Sequence, residues 1–256
     1  MTATVSVVIP CYNLSKFILL AIESVLSQKG SYVKEIIVID DCSTDSSVDI
    51  IESMPLCGTV IKLVKNTTNI GAAESRNLGV NLATGAYIAF LDGDDVWKKD
   101  KLSVQIEAMQ RLGANVSCGW FDTVDCSGKR IGSFYFKEKL ITYRDLLSIN
   151  NVLTSTLVYC QEKIGKQFFP SIRKRQDLAL WLKITKSTDS PIQCIHHPLA
   201  SYRLSVSESV SSNKIDCLLY RYRVLREFEG FGMFFSLFYT GVNAFRVVIK
   251  RLRFRY

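Results

Sequence analysis

Ala86-Tyr-Ile-Ala-Phe-Leu-Asp-Gly-Asp-Asp-Val-Trp97 carries six apolar or aromatic residues straight into three carboxylates within four positions. An unbroken apolar run closed by Asp and Gly is the pattern of a strand buried on both faces. So much like charge at one strand tip is costly unless a cation or hydrogen-bond donors compensate it. Hard divalent ions such as Mg2+ take one or two carboxylates together with phosphate oxygens of a substrate, and Asp92, Asp94 and Asp95 supply such ligands. Asp and Gly also build plain turns and helix caps, so the cluster alone leaves both readings open.

Toward the N-terminus the same pattern recurs. Val5-Ser-Val-Val-Ile9, stopped by Pro10, and Glu35-Ile-Ile-Val-Ile-Asp40 read as buried strands, and Thr59 to Val64 as another. Between the first two, Ile18, Ala21, Ile22, Val25 and Leu26 recur at helical spacing. Ser43 to Asp45 can cap a helix through Met54, and Ala72 to Leu82 makes another. Strands alternating with helices predict an open α/β sheet whose ligands bind beyond the carboxyl ends of the strands.

That edge gathers the polar residues. Pro10-Cys11-Tyr12-Asn13 ends the first strand, Asp40-Asp41 the second, and Asn69 and Arg76 lie at the start of the third helix. An Asp accepts from a nucleobase N–H or a ribose hydroxyl, and Tyr12 could pack on a base. Arg76 is a fixed positive charge able to meet a diphosphate or to orient the acidic tip. Each residue has an ordinary alternative as a turn former, helix cap or solvated side chain.

After Trp97 the pattern loosens. A helix is predicted from about Lys99 to Leu112, strands at Asn115 to Trp120 and Ile131 to Phe136, and a helix at Tyr143 to Leu147. Another helix follows at Asp177 to Lys186, then short strands at Gln193 to Ile195 and Ala200 to Leu204. Trp97, Trp120 and Trp181 could stack on sugars, although large aromatics usually serve packing.

Composition bounds the class. Over 256 residues, 48% are hydrophobic and 22% charged, a globular mix that excludes disordered, collagen-like and repeat architectures. The eight cysteines never approach a C-x-x-C spacing and read as buried thiols. The start carries no basic region, and Val5 to Ile9 is too short for a secretory signal, so the expectation is the reducing cytoplasm.

The net charge of +8 is uneven: from Lys214 to Tyr256 nine basic side chains face three acidic ones, and the rest is nearly neutral. Phe231, Phe234, Phe235, Phe238, Val242, Phe245 and Ile249 fall on one helical face, with Ser236, Thr240, Asn243 and Lys250 on another. Gly232, Gly241, Asn243 and Arg246 make the stretch a poor bilayer span. An in-plane helix on an anionic membrane surface fits better. Packing on its own domain, or on another subunit of a homo-oligomer, is the competing use. With no Gly-aromatic RNA-binding signature and no zinc finger, nucleic acid is not expected as a partner.

In combination, Val5-Ser-Val-Val-Ile-Pro-Cys-Tyr-Asn13, Ile37-Val-Ile-Asp-Asp41, Ser75-Arg-Asn-Leu-Gly79 with Gly85, and Ala89-Phe-Leu-Asp-Gly-Asp-Asp-Val-Trp97 resemble family 2 glycosyltransferases in order and spacing. The resemblance implies a GT-A type fold, a nucleotide-sugar donor, Mn2+ or Mg2+, and inversion at the anomeric carbon. Arg175-Gln-Asp-Leu-Ala-Leu-Trp-Leu182 resembles the acceptor-side motif, with Gln176 where the family usually has Glu. By position, Asp41 is implied to bind the nucleobase, and Asp92 to lie nearest the ribose and metal. Asp94 is implied as principal metal ligand and Asp177 as general base. Pro10, Tyr12, Asn13, Asn69, Arg76 and Gly93 join the donor-binding set.

The Tyr202-Arg203 pair before a serine-rich stretch, Ser205 to Ser212, resembles the closing segment of surface-polysaccharide enzymes of this family. Arg203 could hold a phosphate there, and His197, after His196, could line the metal side. The Gln-x-x-Arg-Trp motif of processive polymerases is absent, which favours addition of one sugar.

The expected organisation is a GT-A domain over 1–212, with a nucleotide-sugar half at 1–97 and an acceptor half at 98–212, then a basic aromatic tail at 213–256. The expected activity is transfer of one sugar from a UDP-linked donor to a saccharide or lipid-linked saccharide, by an enzyme peripheral on the inner face of the cell membrane. Two alternatives from other classes are a sugar-nucleotide nucleotidyltransferase and a non-catalytic nucleotide-sugar-binding protein.

Overall fold

A computed structural model of the protein describes residues 3–55, 60–148, 152–204 and 214–253. Its first half runs β1 (Val5–Cys11), α1 (Ile18–Leu26), β2 (Val33–Asp40), α2 (Ser47–Glu52), β3 (Val60–Lys65), α3 (Ala72–Leu82), β4 (Tyr87–Phe90) and β5 (Val96–Trp97). Then come α4 (Lys101–Leu112), β6 (Val116–Val124), β7 (Arg130–Phe134), β8 (Leu140–Ile141), α5 (Tyr143–Ser148), β9 (Val158–Cys160) and α6 (Gln161–Ile164). The last elements are α7 (Gln176–Ser187), β10 (Ile192–Arg203), α8 (Lys214–Arg223) and α9 (Met233–Arg253).

The strands form one sheet in the order β3-β2-β1-β4-β9-β6-β10-β5, with β7 beside β6 and β8 beside β10. β1 pairs in parallel with β2 on one side and β4 on the other, so the strand order reverses between β1 and β4. A crevice opens at such a point beyond the carboxyl ends. Register aligns it: Cys11 lies opposite Asp40 and Val8 opposite Phe90. Tyr12, Asp41 and the acidic tip therefore share one sheet edge.

Period-2 alternation divides the core into two layers. Val8, Ile37, Ile39, Ile88 and Phe90 pack with α3 and α7, whereas Val7, Ile9, Ile36, Val38 and Ala89 pack with α1 and α4. Residues buried on both sides of the sheet explain the uninterrupted apolar runs. α3 approaches β1 through bare backbone, since a Cβ on Gly79 would stand 2.3 Å from Val8 Cγ1.

Differences from the sequence reading concentrate after Trp97. The two-residue β5 and three-residue β9 carry too little pattern to be recognised alone. Helix α2 is shorter than expected, and β6 extends beyond Trp120 to Val124. The two short strands expected at 193–195 and 200–204 are one, β10, whose register against β6 shifts around Pro198. Pro lacks the N–H a regular ladder needs, so the strand continues only through an irregularity. The thiols are not all buried: Cys126 is exposed and Cys42 half-buried. The serine-rich stretch, the boundary at 212, Cys57 and Arg255 lie outside the described residues.

The tail reverses the usual surface-helix arrangement. α8 continues into a π turn at Val224–Phe228, and residues 229–232 break the helix before α9. Two amphipathic faces are present on α9 as read, yet the polar one faces inward. Ser236 is 0% and Asn243 8% exposed, while Phe234 is 74% and Phe245 65% exposed. Asn243 Nδ2 donates to Ser148 O at 3.0 Å and Arg246 Nη1 to Ser148 Oγ at 2.9 Å. Phe231 departs from the expected outward face, because it packs back on the core beside Tyr239. Among the described residues no helix is long and apolar enough to cross a membrane.

Candidate active site

Two loops meet beyond the carboxyl ends of β1 and β2. Asn13 N donates to Ser43 Oγ, Ser15 N to Asp45 Oδ2, and Asn13 Oδ1 accepts from Thr44 N, fastening the end of β1 to the loop after β2. Asn13 and Cys42 adopt φ of 53° and 67° to make these turns. Tyr12 is left with its ring half exposed. Asp41 is buried, and its Oδ1 accepts from Asn66 Nδ2 at 2.9 Å and Ile70 N at 2.8 Å. Its Oδ2 accepts from Gly71 N at 2.7 Å, and Asn69 Nδ2 donates to Asp41 O at 3.2 Å. The carboxylate thus sits at the N-terminus of α3, where negative charge is favoured. Three donors on about four lone-pair positions leave room for one further N–H or O–H.

The acidic tip assigns its three carboxylates different surroundings. Asp92 Oδ1 lies 2.5 Å from Arg76 Nη2. Asp94 is pushed up to about 6 by burial and by Asp92, against the opposing influence of Arg203 and Arg76. Asp95 is raised well above the ordinary range by burial and by its two neighbours. Ser155 Oγ donates to Asp95 Oδ2 at 2.5 Å, and Arg203 N to Asp95 Oδ1 at 3.0 Å. Gly93 brings the tip against β1, since a Cβ there would stand 3.1 Å from Pro10 O.

Arg203 is a brace. Its Nε donates to Asp94 O at 3.0 Å and its Nη1 to Asp125 O and Cys126 O, while the guanidinium lies 4.4 Å from the Phe17 ring centre. These bonds fix the guanidinium against the tip and leave its Nη2 outside them. His197 pairs with Asp100 and His196 stacks on Trp120, about six residues before Arg203, or roughly 20 Å along a strand. Neither is placed at the tip. Trp181 is wholly buried, and Trp97 Nε1 donates to Ser155 O.

Among the described residues no three His, Cys, Asp or Glu side chains converge as a metal cage. Two carboxylates completed by phosphate oxygens are nevertheless a donor set that Mg2+ accepts. Asp92 and Asp94 fit it: both are half-buried, and Asp92 opposes the ionisation of Asp94, a charge conflict that a cation would relieve.

A second side enters from α7. Arg175, at φ 63°, turns the chain into the helix, and Asp177 falls in its first turn. From α8 the buried Arg221 comes near Asp177. Burial and Arg175 lower its pKa to about 9, with Asp177 acting oppositely, and its Nη2 donates to Leu146 O. Arg76 joins the two sides: besides Asp92, its Nη1 donates at 3.1 Å to Gln176 Oε1 once the Gln176 amide is turned to match its neighbours. The carboxylate tip and the start of α7 therefore flank one guanidinium. Ser155 and Asn66 were not legible in the sequence, since each is a lone polar residue in a loop without a motif.

A family model for glycosyl transferase family 2 matches residues 6–165. The chain belongs to that family. Asp177 and the tail lie beyond the matched segment. TuaG of Bacillus subtilis strain 168, a glycosyltransferase assigned to teichuronic acid biosynthesis, is 37% identical over 225 residues, 88% of each chain. The Escherichia coli glucosyltransferase WfgD, described as UDP-Glc:alpha-D-GlcNAc-diphosphoundecaprenol beta-1,3-glucosyltransferase, is 35% identical over 88% of this chain and 86% of its own. Staphylococcus aureus TarS 1-349, crystallised with UDP-GlcNAc, superposes with a TM-score of 0.69 at 20% identity, covering 91% of this chain and 69% of that one. The fold is of the GT-A type, as the resemblance implied. Membership favours sugar transfer over the nucleotidyltransferase and non-catalytic alternatives.

Proposed function

We propose that the protein is an inverting, divalent-cation-dependent glycosyltransferase that adds one sugar from a UDP-linked donor to a saccharide on a lipid diphosphate, in surface-polysaccharide assembly. The observation that carries this reading is the Arg76 bridge, which joins Asp92 of the acidic tip to Gln176, the residue before the candidate base. The donor named for WfgD, the UDP-GlcNAc bound to TarS, and WfgD's lipid diphosphate acceptor support the substrate classes.

In this mechanism Asp41 accepts from the nucleobase and the exposed Tyr12 ring packs on it. Asp92 and Asp94 would hold Mn2+ or Mg2+, and the bound cation would neutralise charge on the leaving nucleoside diphosphate. Asp177 takes the proton of the attacking acceptor hydroxyl as the new C–O bond forms and the bond to the diphosphate breaks. Attack from the face opposite the diphosphate inverts the anomeric carbon. In the test, Asp177→Asn abolishes transfer from UDP-glucose to a lipid diphosphate of N-acetylglucosamine while UDP affinity with Mn2+ is retained; an active Asn variant removes Asp177 from the mechanism.

The enzyme is further proposed to rest on the anionic cytoplasmic membrane surface through α9. Its outward face presents Phe234, Phe235, Phe238 and Phe245, and nine basic residues lie in the tail. Basic residues near anionic lipid contribute about 1 kcal/mol each. Sedimentation with phosphatidylglycerol vesicles tests it: Phe234→Ser, Phe235→Ser and Phe238→Ser together should release the protein. Unchanged binding excludes the anchor, and a dimer that becomes monomeric in the triple variant assigns the face to a second copy.

A further inference from the structure

The geometry points to Gln176 as a positioning residue for transfer, locking the base-bearing helix to the metal-binding tip through Arg76. This inference rests on the proposed roles of Asp92, Asp94 and Asp177. With its amide turned to satisfy both neighbours, Gln176 Oε1 accepts from Arg76 Nη1 and Nε2 donates to Ile172 O, each at 3.1 Å. One side chain thereby holds α3 and the segment entering α7 together.

Two adjoining features make this a designed clamp rather than a chance contact. The neighbouring Asn77 bonds the same entering segment in both directions: Nδ2 donates to Phe169 O at 2.9 Å, and Oδ1 accepts from Phe169 N at 2.7 Å. The Arg76 guanidinium also lies 5.4 Å from the centre of the Phe169 ring, itself part of the core. Arg76 is buried and fixed, with one nitrogen on Asp92 and another on Gln176. Displacement of the tip is therefore transmitted to the residue immediately before Asp177 through two hydrogen bonds, with no flexible link between.

Transfer needs the acceptor hydroxyl, held by its base, in line with the bond to the diphosphate, and a misplacement of about 1 Å can cost about a hundredfold. Nucleotide binding makes no such demand on α7. Loss of the Gln176 bridge should therefore lower kcat and spare donor affinity.

The experiment compares Gln176→Leu with Gln176→Glu, which retains an acceptor for Arg76. Steady-state transfer is measured with UDP-glucose and a lipid diphosphate of N-acetylglucosamine, and UDP affinity with Mn2+ by calorimetry. Gln176→Leu is expected to lose at least about tenfold in kcat with UDP affinity within about twofold, and Gln176→Glu to recover most of the rate. In a double-mutant cycle, Arg76→Lys should cost less in the Leu background than alone. Gln176→Met serves where Leu does not fold. Full kcat in the Leu or Met variant, a matching loss of UDP affinity, or a Glu variant as slow as Leu overturns the inference. An inactive Asp177→Asn beside a fully active Gln176→Leu leaves the base assignment standing and removes only the bridge.

Discussion

Ser155 and Asp95 are sixty positions apart in sequence and 2.5 Å apart in a fully buried hydrogen bond. The same Ser155 Oγ accepts from Asp92 N at 3.1 Å, so one hydroxyl fixes both the main chain and a side chain of the acidic tip. Ser155→Ala strands a buried carboxyl and a backbone amide. The cost of such unsatisfied groups is about 1–3 kcal/mol. Urea denaturation should show that loss, together with weaker Mn2+-dependent binding of UDP. An unchanged midpoint would mean that the tip holds its shape without Ser155.

The packing of α3 on β1 makes Gly79→Ala a discriminating substitution. Helix propensity alone favours Ala over Gly by about 1 kcal/mol. The new methyl would meet Val8 Cγ1 at 2.3 Å and Cγ2 at 3.2 Å, and a β-branched side chain inside a central strand has nowhere to turn. Overpacking of this kind costs about 1–3 kcal/mol, so the net effect should be destabilising. Adding Val8→Ala should restore part of the loss. A Gly79→Ala protein more stable than the parent contradicts the close approach.

The first half of the sheet was legible because its physics is local. Val5 to Ile9, Ile36 to Ile39 and Ile88 to Leu91 are buried on both faces, so composition alone marked them as central strands, and α3 has the expected bounds. The part after Trp97 depends on partners distant in sequence. β9 is three residues long and exists because β4 and β6 present ladders to it. The carbonyls that Arg203 braces, those of Asp94, Asp125 and Cys126, could not be read from a basic residue after a strand. The tail was read correctly as amphipathic, but periodicity fixes only that two faces exist. The inward face is the one whose Asn243 and Arg246 donate to Ser148 O and Oγ.

Glu35 gives a pH prediction at the sheet edge opposite the site. Burial alone would raise its pKa, but hydrogen bonds from Lys62, Ser6 and Thr84 overcome that and bring it to about 2. The donors stand at 2.7, 2.6 and 2.7 Å. A carboxyl whose folded pKa lies below its ordinary value near 4.5 stabilises the fold above that value, and the contribution disappears as pH falls toward 2. Glu35→Gln should therefore be clearly less stable than the parent at pH 7, with the gap closing between about pH 4.5 and 2. Chemical denaturation across that range checks it; a gap that stays constant with pH excludes the carboxylate as its source.

Substitutions along α9 should follow the reversed polarity of the helix. In an ordinary surface helix the aromatic residues are the costly ones to remove and the polar ones are replaceable. Here Phe234 projects outward, whereas Asn243 is buried and bonded to Ser148 O. Phe234→Ser should change the stability of the full chain by no more than about 0.5 kcal/mol. Asn243→Leu removes the donor from a covered carbonyl and should cost about 1–3 kcal/mol although it adds apolar surface. Urea midpoints of the two variants decide between the orientations. If Phe234→Ser is the more damaging, the aromatic face is the one that packs in solution, and it is not free to meet a membrane.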